Sequence, residues 1–470
     1  MWKSDSKYQK INQKRSSIML ITILIAIGIF LSGCWKENNS TFERIQRRII
    51  LFGIDGATWD VIDPLLAEGK LPNMAKLIES GTRANLKTLT PTDSPRIWTS
   101  ILTGVLPEIH GIESFVVKIP DAEYSTLPSS NMRKAKALWN ILSEFGYSVG
   151  IVGWWASFPA EEVNGFIISD HANYIRKDIF KDLLNLTDKG MSQKEEKEVY
   201  PPELYQELSN SIRISTKMKP DLVNRFAKLP ADKFDELERQ QSYSIENKLS
   251  ILKFGLLNDM SFIESGFFAI QKYNPDFTAF YLSGLDAIEH HFWKYMEPEK
   301  FNMAIPEEEI RLYDNVIKKY YMYMDEILGK LISLYSDDKT TMVVISDHGF
   351  EANPHHGTKG PHEVGYSGYH ENSPDGIFVI SGMDIEKKGK LINPTVLDIM
   401  PTLLALMGLP VGKDMPGKVL KNAINKSFFE SHPVEKIPSY SSGWEHSSTP
   451  IESENVKTLK EKLKALGYIN

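Results

Sequence analysis

Aspartate and histidine side chains recur where short apolar runs end in this sequence. Three of each stand at such places: Asp55, Asp286, His290, Asp347, His348 and His370. Mixed carboxylate and imidazole ligands suit zinc, with manganese as the main competitor. Because six ligands exceed what one catalytic zinc needs, the pattern favours two divalent ions with about three protein ligands each. Two ions about 4 Å apart can hold both the attacking and the leaving oxygen of a phosphoryl displacement.

The segment between Thr90 and Gly111 supplies a candidate nucleophile. Ser94 precedes Pro95, which is the pattern of a helix N-cap followed by proline at the first helical position. Gly104 predicts the end of that helix after about ten residues. A helix N-terminus favours a bound anion, and a metal beside a hydroxyl lowers its pKa. We therefore expect Ser94 to act as N-cap and nucleophile, with Thr92 as the reserve nucleophile.

Apolar runs alternate with helical patterns along the chain, which predicts a doubly wound, mostly parallel α/β sheet flanked by helices. In such sheets the loops after the carboxyl ends of the strands carry the ligands. The predicted strands are Ile49–Ile54, Ser148–Val152, Gly165–Ser169, Phe277–Leu282, Thr341–Ser346 and Gly376–Ser381. The predicted helices include Leu71–Ser80, Ala137–Phe145 and Glu307–Tyr335.

Two other regions have a different composition. Residues 175–265 are charged and rich in lysine and glutamate, which predicts a helical cap inserted into the domain. Residues 426–470 form a predicted surface tail that ends in a helix at Ile451–Leu466. Five of the 11 histidines lie between His348 and His370, which favours a ligand role for this loop. His370 is preferred because it precedes a strand, and the reserve ligands are His355, His356 and His362.

Composition and charge exclude several classes of protein. The chain has 470 residues, of which 42% are hydrophobic and 24% charged, so a mainly disordered or fibrous protein is excluded. The formal charge of −7 argues against a nucleic-acid-binding protein that relies on phosphate contacts. Because Cys34 is the only cysteine, an internal disulfide and a cysteine-based zinc site are also excluded.

The N-terminal region has the pattern of an export signal. A basic leader precedes the apolar run Ile18–Leu31, which suits a signal peptide but is shorter than the roughly 20 residues that span a bilayer. The ending Leu31-Ser32-Gly33-Cys34 resembles the lipobox of bacterial lipoproteins, whose cysteine is acylated. We expect a lipoprotein signal peptide at 1–33, a lipid anchor at Cys34, a tether over 34–46 and a catalytic domain over 47–425. The protein would then be a membrane-anchored, extracytoplasmic lipoprotein; the alternative is a short uncleaved anchor.

The order of the motifs resembles the alkaline phosphatase superfamily, near the type I phosphodiesterase/nucleotide pyrophosphatase branch and its bacterial phosphohydrolase relatives. The resemblance covers roughly 47–170 and 270–425. The matching motifs are Phe52-Gly53-Ile54-Asp55-Gly56, the Ser94 segment with His110-Gly111-Ile112, Asp286 with His290, Ser346-Asp347-His348-Gly349, His370 and Asp398-Ile399-Met400-Pro401-Thr402.

The resemblance implies an alkaline phosphatase-like fold and the hydrolysis of a small phosphorylated substrate through a covalent phospho-enzyme on Ser94. It also implies two divalent ions, most simply Zn²⁺. One ion would be held by Asp55, Ser94, Asp347 and His348, and the other by Asp286, His290 and His370.

Two departures from the branch concern the phosphate oxygens. The proteins of this branch have a phosphate-binding asparagine at the position that Phe115 occupies here. They also bind phosphate through the backbone N–H of the residue after the nucleophile, which Pro95 lacks. Arg96 is the candidate replacement, through its guanidinium or its amide. Two alternatives remain open, a phosphotransferase acting on lipid or glycan headgroups and a non-catalytic surface-binding lipoprotein. Core packing is favoured over substrate stacking for the aromatic side chains after the second strand, Trp154, Trp155 and Phe158.

Overall fold

The computed structural model describes residues 44–118, 125–172, 195–211, 220–239, 247–335, 337–354, 366–371 and 374–444. Contacts divide the chain into 1–45 and 46–470, and every element described below lies in the second unit. Several predictions fall outside the described residues, namely those for the leader, Cys34, most of the tether, His355, His356, His362 and the helix Ile451–Leu466. None of the described helices has both the length and the apolar character needed to cross a bilayer.

The strands confirm the six predicted ones to within one residue at either end. They are β1 Arg48–Ile54, β2 Thr82–Leu86, β3 Val117–Lys118, β4 Ser125–Thr126, β5 Val149–Val152, β6 Gly165–Ile168, β7 Val199–Tyr200, β8 Phe277–Leu282, β9 Thr340–Ile345, β10 Glu351–Ala352, β11 Gly368–Tyr369, β12 Gly376–Gly382, β13 Val411–Gly412 and β14 Lys436–Ile437.

One large sheet has the order β2-β12-β9-β1-β8-β5-β6-β7. The pairs between β9, β1, β8, β5 and β6 are parallel, while β12 is antiparallel to β9 and β7 is antiparallel to β6. The sequences of the central strands are mainly apolar, because helices cover both faces of a parallel sheet. The sheet is therefore mostly parallel, as the sequence predicts.

Helices join and flank these strands. They are α1 Trp59–Ala67, α2 Pro72–Ser80, α3 Ser94–Thr103, α4 Pro107–His110, α5 Leu138–Glu144, α6 Pro202–Ser211, α7 Pro220–Val223, α8 Ala231–Arg239, α9 Lys248–Tyr273, α10 Gly284–Met296, α11 Glu307–Tyr313, α12 Val316–Leu334, α13 Ile399–Leu406 and α14 Lys426–Ser431. The predicted helices at 71–80 and 137–145 correspond to α2 and α5.

The alternation of side chains along β8 shows that both faces of the sheet are covered. Phe280 and Leu282 join a core that includes residues of α1, α2, α9, α10 and α12. Tyr281 points to the other face, where its ring meets that of Trp98 in α3 at a centroid distance of 4.9 Å. The fold is doubly wound, because successive residues of a strand face opposite sides and both sides are packed.

The structure corrects the predicted helix Glu307–Tyr335, which is two helices, α11 and α12. The break falls at Asp314 and Asn315, whose short polar side chains compete with the backbone for hydrogen bonds and disfavour helix interiors. The tail also differs in part from the expected surface segment, since β14 pairs with β13.

The described parts of 175–265 are mainly helical, and they are also integrated into the sheet. Residues Val199–Tyr200 form its edge strand next to β6. Helix α9 contacts β5, β6, β8 and α10, and most of its side chains are buried. Its burial makes α9 one of the helices that flank the sheet, and for this helix the structure differs from the expected cap.

Helix α9 fixes the start of α10, the helix that carries Asp286 and His290. Gly284 N donates to Asp259 Oδ1 of α9 at 3.0 Å, and Tyr320 OH donates to Asp259 Oδ2 at 2.7 Å. A Cβ atom at Gly284 would lie 2.0 Å from the Tyr320 hydroxyl and 2.4 Å from Asp259 Oδ2. Only glycine allows this close approach.

We expect Gly284→Ala to lower the free energy of unfolding by about 1–3 kcal/mol, because the new methyl group overpacks this junction. The matched control is Gly255→Ala in α9, where the nearest atom to an added Cβ is 3.8 Å away. That control should be neutral or stabilising, since alanine is the better helix former. Urea unfolding of both variants measures the difference, and equal effects would contradict the proposed junction.

Candidate metal centre

The carboxyl edge of the parallel strands gathers six of the predicted ligands. Asp55 follows β1 directly, Asp347 and His348 follow β9, Asp286 and His290 lie one turn apart in α10, and His370 follows β11. All six are buried, with at most 8% of each residue exposed. The predicted convergence of distant segments is therefore present in the folded chain.

These side chains form two groups that could each hold a metal ion. One contains Asp55, Asp347 and His348, and the other contains Asp286, His290 and His370. Within each group the ligand atoms all lie within 4.8 Å of one another. The groups adjoin, because the rings of His348 and His370 stack with centroids 4.0 Å apart.

Backbone and hydroxyl partners orient the three imidazoles. His290 Nδ1 donates to Gly368 O at 3.0 Å, and His348 Nδ1 donates to Gly349 O at 3.1 Å. Thr92 Oγ1 donates to His370 O at 3.1 Å, so His370 Nδ1 donates to Thr92 Oγ1 at 2.9 Å. In each ring the remaining Nε2 then carries a lone pair, which is the state that a metal ligand requires.

The first group brings lone-pair atoms face to face. His348 Nε2 lies 3.5 Å from Asp55 Oδ1 and 3.4 Å from Asp347 Oδ2. Among the described residues, none of these three buried atoms has a hydrogen-bond partner. Ligands of a tetrahedral ion bound at about 2.0–2.1 Å are separated by roughly 3.4 Å. Both the spacing and the donor chemistry therefore fit a divalent cation. In the second group, His290 Nε2 lies 3.5 Å from Asp286 Oδ1.

Burial and mutual repulsion shift the pKa values of the ligands in this centre. Burial, followed by the charges of Asp347 and Asp286, raises the pKa of Asp55 well above its usual value. Burial raises the pKa of Asp347 to about 7. Burial and the nearby His348 and His290 lower the pKa of His370 well below its usual value. A bound divalent cation would relieve this repulsion, because it favours ionised carboxylates and neutral imidazoles.

The Ser94 segment reaches the same centre, with one correction. Helix α3 begins at Ser94 itself, and the N-cap is Asp93, whose side chain makes no capping hydrogen bond. Proline is tolerated here because the first-turn N–H groups have no partner within the helix. Ser94 is 2% exposed and lies two residues after Thr92, the partner of His370. Gly104 ends the helix in the left-handed conformation, as predicted.

Thr92 and Arg96 lie on either side of Ser94 in the sequence. The Thr92 hydroxyl is engaged with both Nδ1 and the carbonyl of His370, so it supports a ligand. Arg96 is half-buried, and its buried Nε has no hydrogen-bond partner in the described part of the chain. Asp93 interacts electrostatically with both Arg96 and His348, which links α3 to the centre.

The aromatic residues near the centre mainly pack the core, as favoured from the sequence. Trp154 and Phe158 are fully buried, and the Trp154 ring contacts that of Trp98 with centroids 5.0 Å apart. Phe115, at the position of the expected asparagine, is 2% exposed and meets Trp155 edge-on at 5.7 Å. Phe115 can offer no hydrogen bond to a phosphate oxygen.

Two residues of the centre were not identified from the sequence. Tyr281 OH donates a short hydrogen bond to Asp55 Oδ2, and Trp155 Nε1 donates to the Tyr281 oxygen at 2.9 Å. Glu289 is fully buried between Asp286 and His290 in sequence and accepts from Tyr321 OH at 2.8 Å. A tyrosine in a mainly apolar strand was the available indication, because a buried tyrosine hydroxyl needs a partner.

A mostly parallel α/β sheet with two buried carboxylate–imidazole groups beside a helix N-terminus fits an enzyme that uses bound metal ions. The sequence profile described as type I phosphodiesterase/nucleotide pyrophosphatase matches residues 49–392. Because this match spans more than half of the chain, the chain belongs to that family and is a phosphoric ester hydrolase. No curated protein sequence matches the chain.

Comparison with solved structures supports the fold. A mutant of the alkaline phosphatase PafA has a TM-score of 0.52 at 11% identity, covering 82% of this chain and 100% of its own. Human ectonucleotide pyrophosphatase/phosphodiesterase 5 has a TM-score of 0.44 at 12% identity, covering 79% and 97%. The 2-O glycosaminoglycan sulfatase BT1596 has a TM-score of 0.47 at 13% identity, covering 81% and 76%. The first of these shows an alkaline phosphatase-like fold.

Tyr281 orients Asp55, so we expect Tyr281→Phe to weaken divalent metal binding by about 10–100-fold. Competition against a chromophoric chelator measures this affinity directly. The matched control is Tyr295→Phe, which removes a buried hydroxyl that donates to Glu309 instead of to this centre. Equal affinities for Tyr281→Phe and the wild-type protein would contradict an orienting role.

We expect two equivalents of divalent metal per chain, because each of the two groups supplies a separate ligand set. His348→Ala and His370→Ala should each lower the content to one equivalent or less, since each removes a ligand from one group. Elemental analysis after dialysis measures the stoichiometry, with His432→Ala as a control outside the centre. One equivalent in the wild-type protein would contradict the paired arrangement.

Proposed function

We propose that this chain is a metal-dependent phosphoric ester hydrolase, a phosphodiesterase or phosphatase, that uses Ser94 as its nucleophile. The observation that carries the proposal is the pair of adjoining ligand groups beside the start of α3. Membership of the type I phosphodiesterase/nucleotide pyrophosphatase family supports the same chemistry. Small phosphorylated compounds are the proposed substrates.

The proposed centre holds two divalent ions, with zinc as the first choice and manganese as the second. Asp55, Asp347 and His348, joined by Ser94, are the proposed ligands of one ion, and the second group holds the other. Mixed carboxylate and imidazole donors suit both metals. When bound, such ions neutralise phosphoryl oxygens and lower the pKa of a nearby hydroxyl.

The proposed reaction has two steps, and Ser94 is the nucleophile of the first. Its oxygen attacks phosphorus in line with the leaving ester oxygen, the proton of the serine hydroxyl reaches that oxygen by way of solvent, the alcohol departs, and the phosphoryl group remains bonded to Ser94. Water then attacks phosphorus from the opposite side and releases phosphate or a phosphate monoester and the serine hydroxyl. Two successive in-line displacements replace one difficult step by two easier ones.

The phosphate oxygens need donors other than those of the family pattern. Pro95 lacks a backbone N–H and the side chain of Phe115 has no polar atom, so neither of these groups can bind them. Arg96 is the proposed donor, because its Nε is buried without a partner in the described residues and its guanidinium can form two parallel hydrogen bonds. Its backbone N–H, in the first turn of α3, is a second donor.

The proposed location is outside the cytoplasm, at a membrane. The basic leader, the short apolar run and the Leu31-Ser32-Gly33-Cys34 ending support a lipoprotein signal peptide over 1–33 and a lipid anchor at Cys34. The tether over 34–46 would connect this anchor to the hydrolase domain. Several acyl chains give stable anchoring where one chain binds reversibly.

We expect Ser94→Ala to reduce turnover of bis-aryl phosphate by about three orders of magnitude or more while two equivalents of metal stay bound. Thr92→Ala should reduce turnover less, because Thr92 supports His370 and does not attack. Comparing bis-aryl with mono-aryl phosphate, with and without chelator, identifies the preferred ester class and the metal requirement.

If Ser94→Ala retained its turnover, another residue would be the nucleophile. Chelator-insensitive turnover of the wild-type protein would contradict metal dependence.

A further inference from the structure

A groove rich in lysine lies outside the candidate metal centre. It has a volume of about 640 Å³, and its charged lining residues are Lys388, Lys390, Lys421, Lys426 and Glu386. All four lysines are exposed, and among the described residues no carboxylate forms an ion pair with any of them. Unpaired like charges that share one groove repel each other, so their grouping favours a bound anion.

Two hydrogen bonds join the two walls of the groove. Asn422 Nδ2 donates to Lys390 O at 3.2 Å, and Glu386 N donates to Ala423 O at 2.9 Å. The loop after β12 and the segment before α14 are therefore joined, and the four lysines belong to one surface. The chain as a whole has a formal charge of −7, so the positive charge of this groove is a local feature.

The groove lies at the edge of the sheet opposite the metal centre. Strand β12 is antiparallel to β9, with Gly382 paired to Thr341 near the start of β9. The loop that follows β12 is thus at the amino edge of the parallel strands, whereas Asp55 and Asp347 follow their carboxyl ends. The seven residues of β1 separate the two edges by about 20 Å.

The same edge is where the chain enters the domain from its N-terminal side. Arg47, just before β1, pairs with Asp384 and donates to Met383 O at 2.9 Å. Its guanidinium also lies 5.1 Å from the ring centre of Phe428, in the helix that begins with the groove residue Lys426. A membrane tether that ends at residue 46, as proposed above, would therefore join the domain on the side of this groove.

We propose that the lysine groove is a docking surface for anionic phospholipid headgroups. Basic side chains near a bilayer bind acidic lipids through charge, and each lysine adds to the attraction. Ile392 lies two residues after Lys390 and is 75% exposed, so the same loop offers an apolar side chain to the interface. Charge alone would suit a soluble polyanion equally well, and it is the tether position and the exposed Ile392 that favour a lipid surface.

Docking through this groove turns the metal centre away from the bilayer. A centre on the far edge, about 20 Å from the headgroups, acts on substrates that arrive from the water. The arrangement disfavours phosphoryl transfer to a headgroup of the same membrane, which was one of the alternatives that the sequence left open.

Chemical acetylation tests the proposal without measuring turnover. The full-length chain is bound to vesicles, and the acetylation rate of each lysine is measured. One set of vesicles contains phosphatidylcholine with phosphatidylglycerol, and the other contains phosphatidylcholine alone. On the anionic vesicles we expect mass spectrometry to show the four groove lysines acetylated about fivefold more slowly. High salt should restore the rate, because it screens charge. Lys134, exposed outside the groove, serves as the internal control.

In the double variant Lys388→Gln/Lys421→Gln, Lys390 and Lys426 should be acetylated at the same rate on both types of vesicle. Equal protection on neutral vesicles, or no protection on either, would overturn the proposal. Protection by soluble polyphosphate in the absence of vesicles would also overturn it, in favour of a polyanion site. Because acetylation is read independently of turnover, these outcomes are separate from the fate of the proposed hydrolase.

Discussion

The buried contact among Asp55, Asp347 and His348 is the constraint on which the centre depends. Their lone-pair atoms face one another at 3.4–3.5 Å with no described hydrogen-bond partner. In a buried site, repulsion between such atoms is far stronger than in water. The surrounding fold holds the atoms at this distance, and a bound divalent cation would make the arrangement favourable.

The sheet, the turn at Gly56 and two buried tyrosines keep the ligands in these positions. Parallel strands end at one edge, so residues nearly 300 positions apart in sequence, such as Asp55 and Asp347, become neighbours. Gly56 makes the turn after Asp55 with φ of +74°, which suits glycine, and donates its N–H to Asp347. Beneath the ligands, Tyr281 and Tyr321 hold Asp55 and Glu289, so the ligand positions are fixed by packed, hydrogen-bonded side chains.

Much of this fold follows from patterns visible in the sequence, and the exceptions have physical reasons. The central strands were predictable because burial on both faces makes them uninterrupted apolar runs. The N-cap at Asp93 and the break at Asp314–Asn315 were missed, since backbone angles decide them where several residues suit the position. Tyr281, Glu289 and the integration of α9 depend on contacts between distant segments, which periodicity does not encode. The ligand set was recognisable because its residues stand at strand ends in the family's order.

Anomalous diffraction from crystals soaked with zinc and vanadate tests the paired centre and its nucleophile most directly. We expect two zinc peaks in adjoining positions, one within reach of Asp55, Asp347 and His348 and one within reach of Asp286, His290 and His370. We also expect vanadium bonded to the Ser94 oxygen. A single zinc peak, zinc bound away from these side chains, or vanadate bonded to another residue would contradict the paired centre or the role of Ser94.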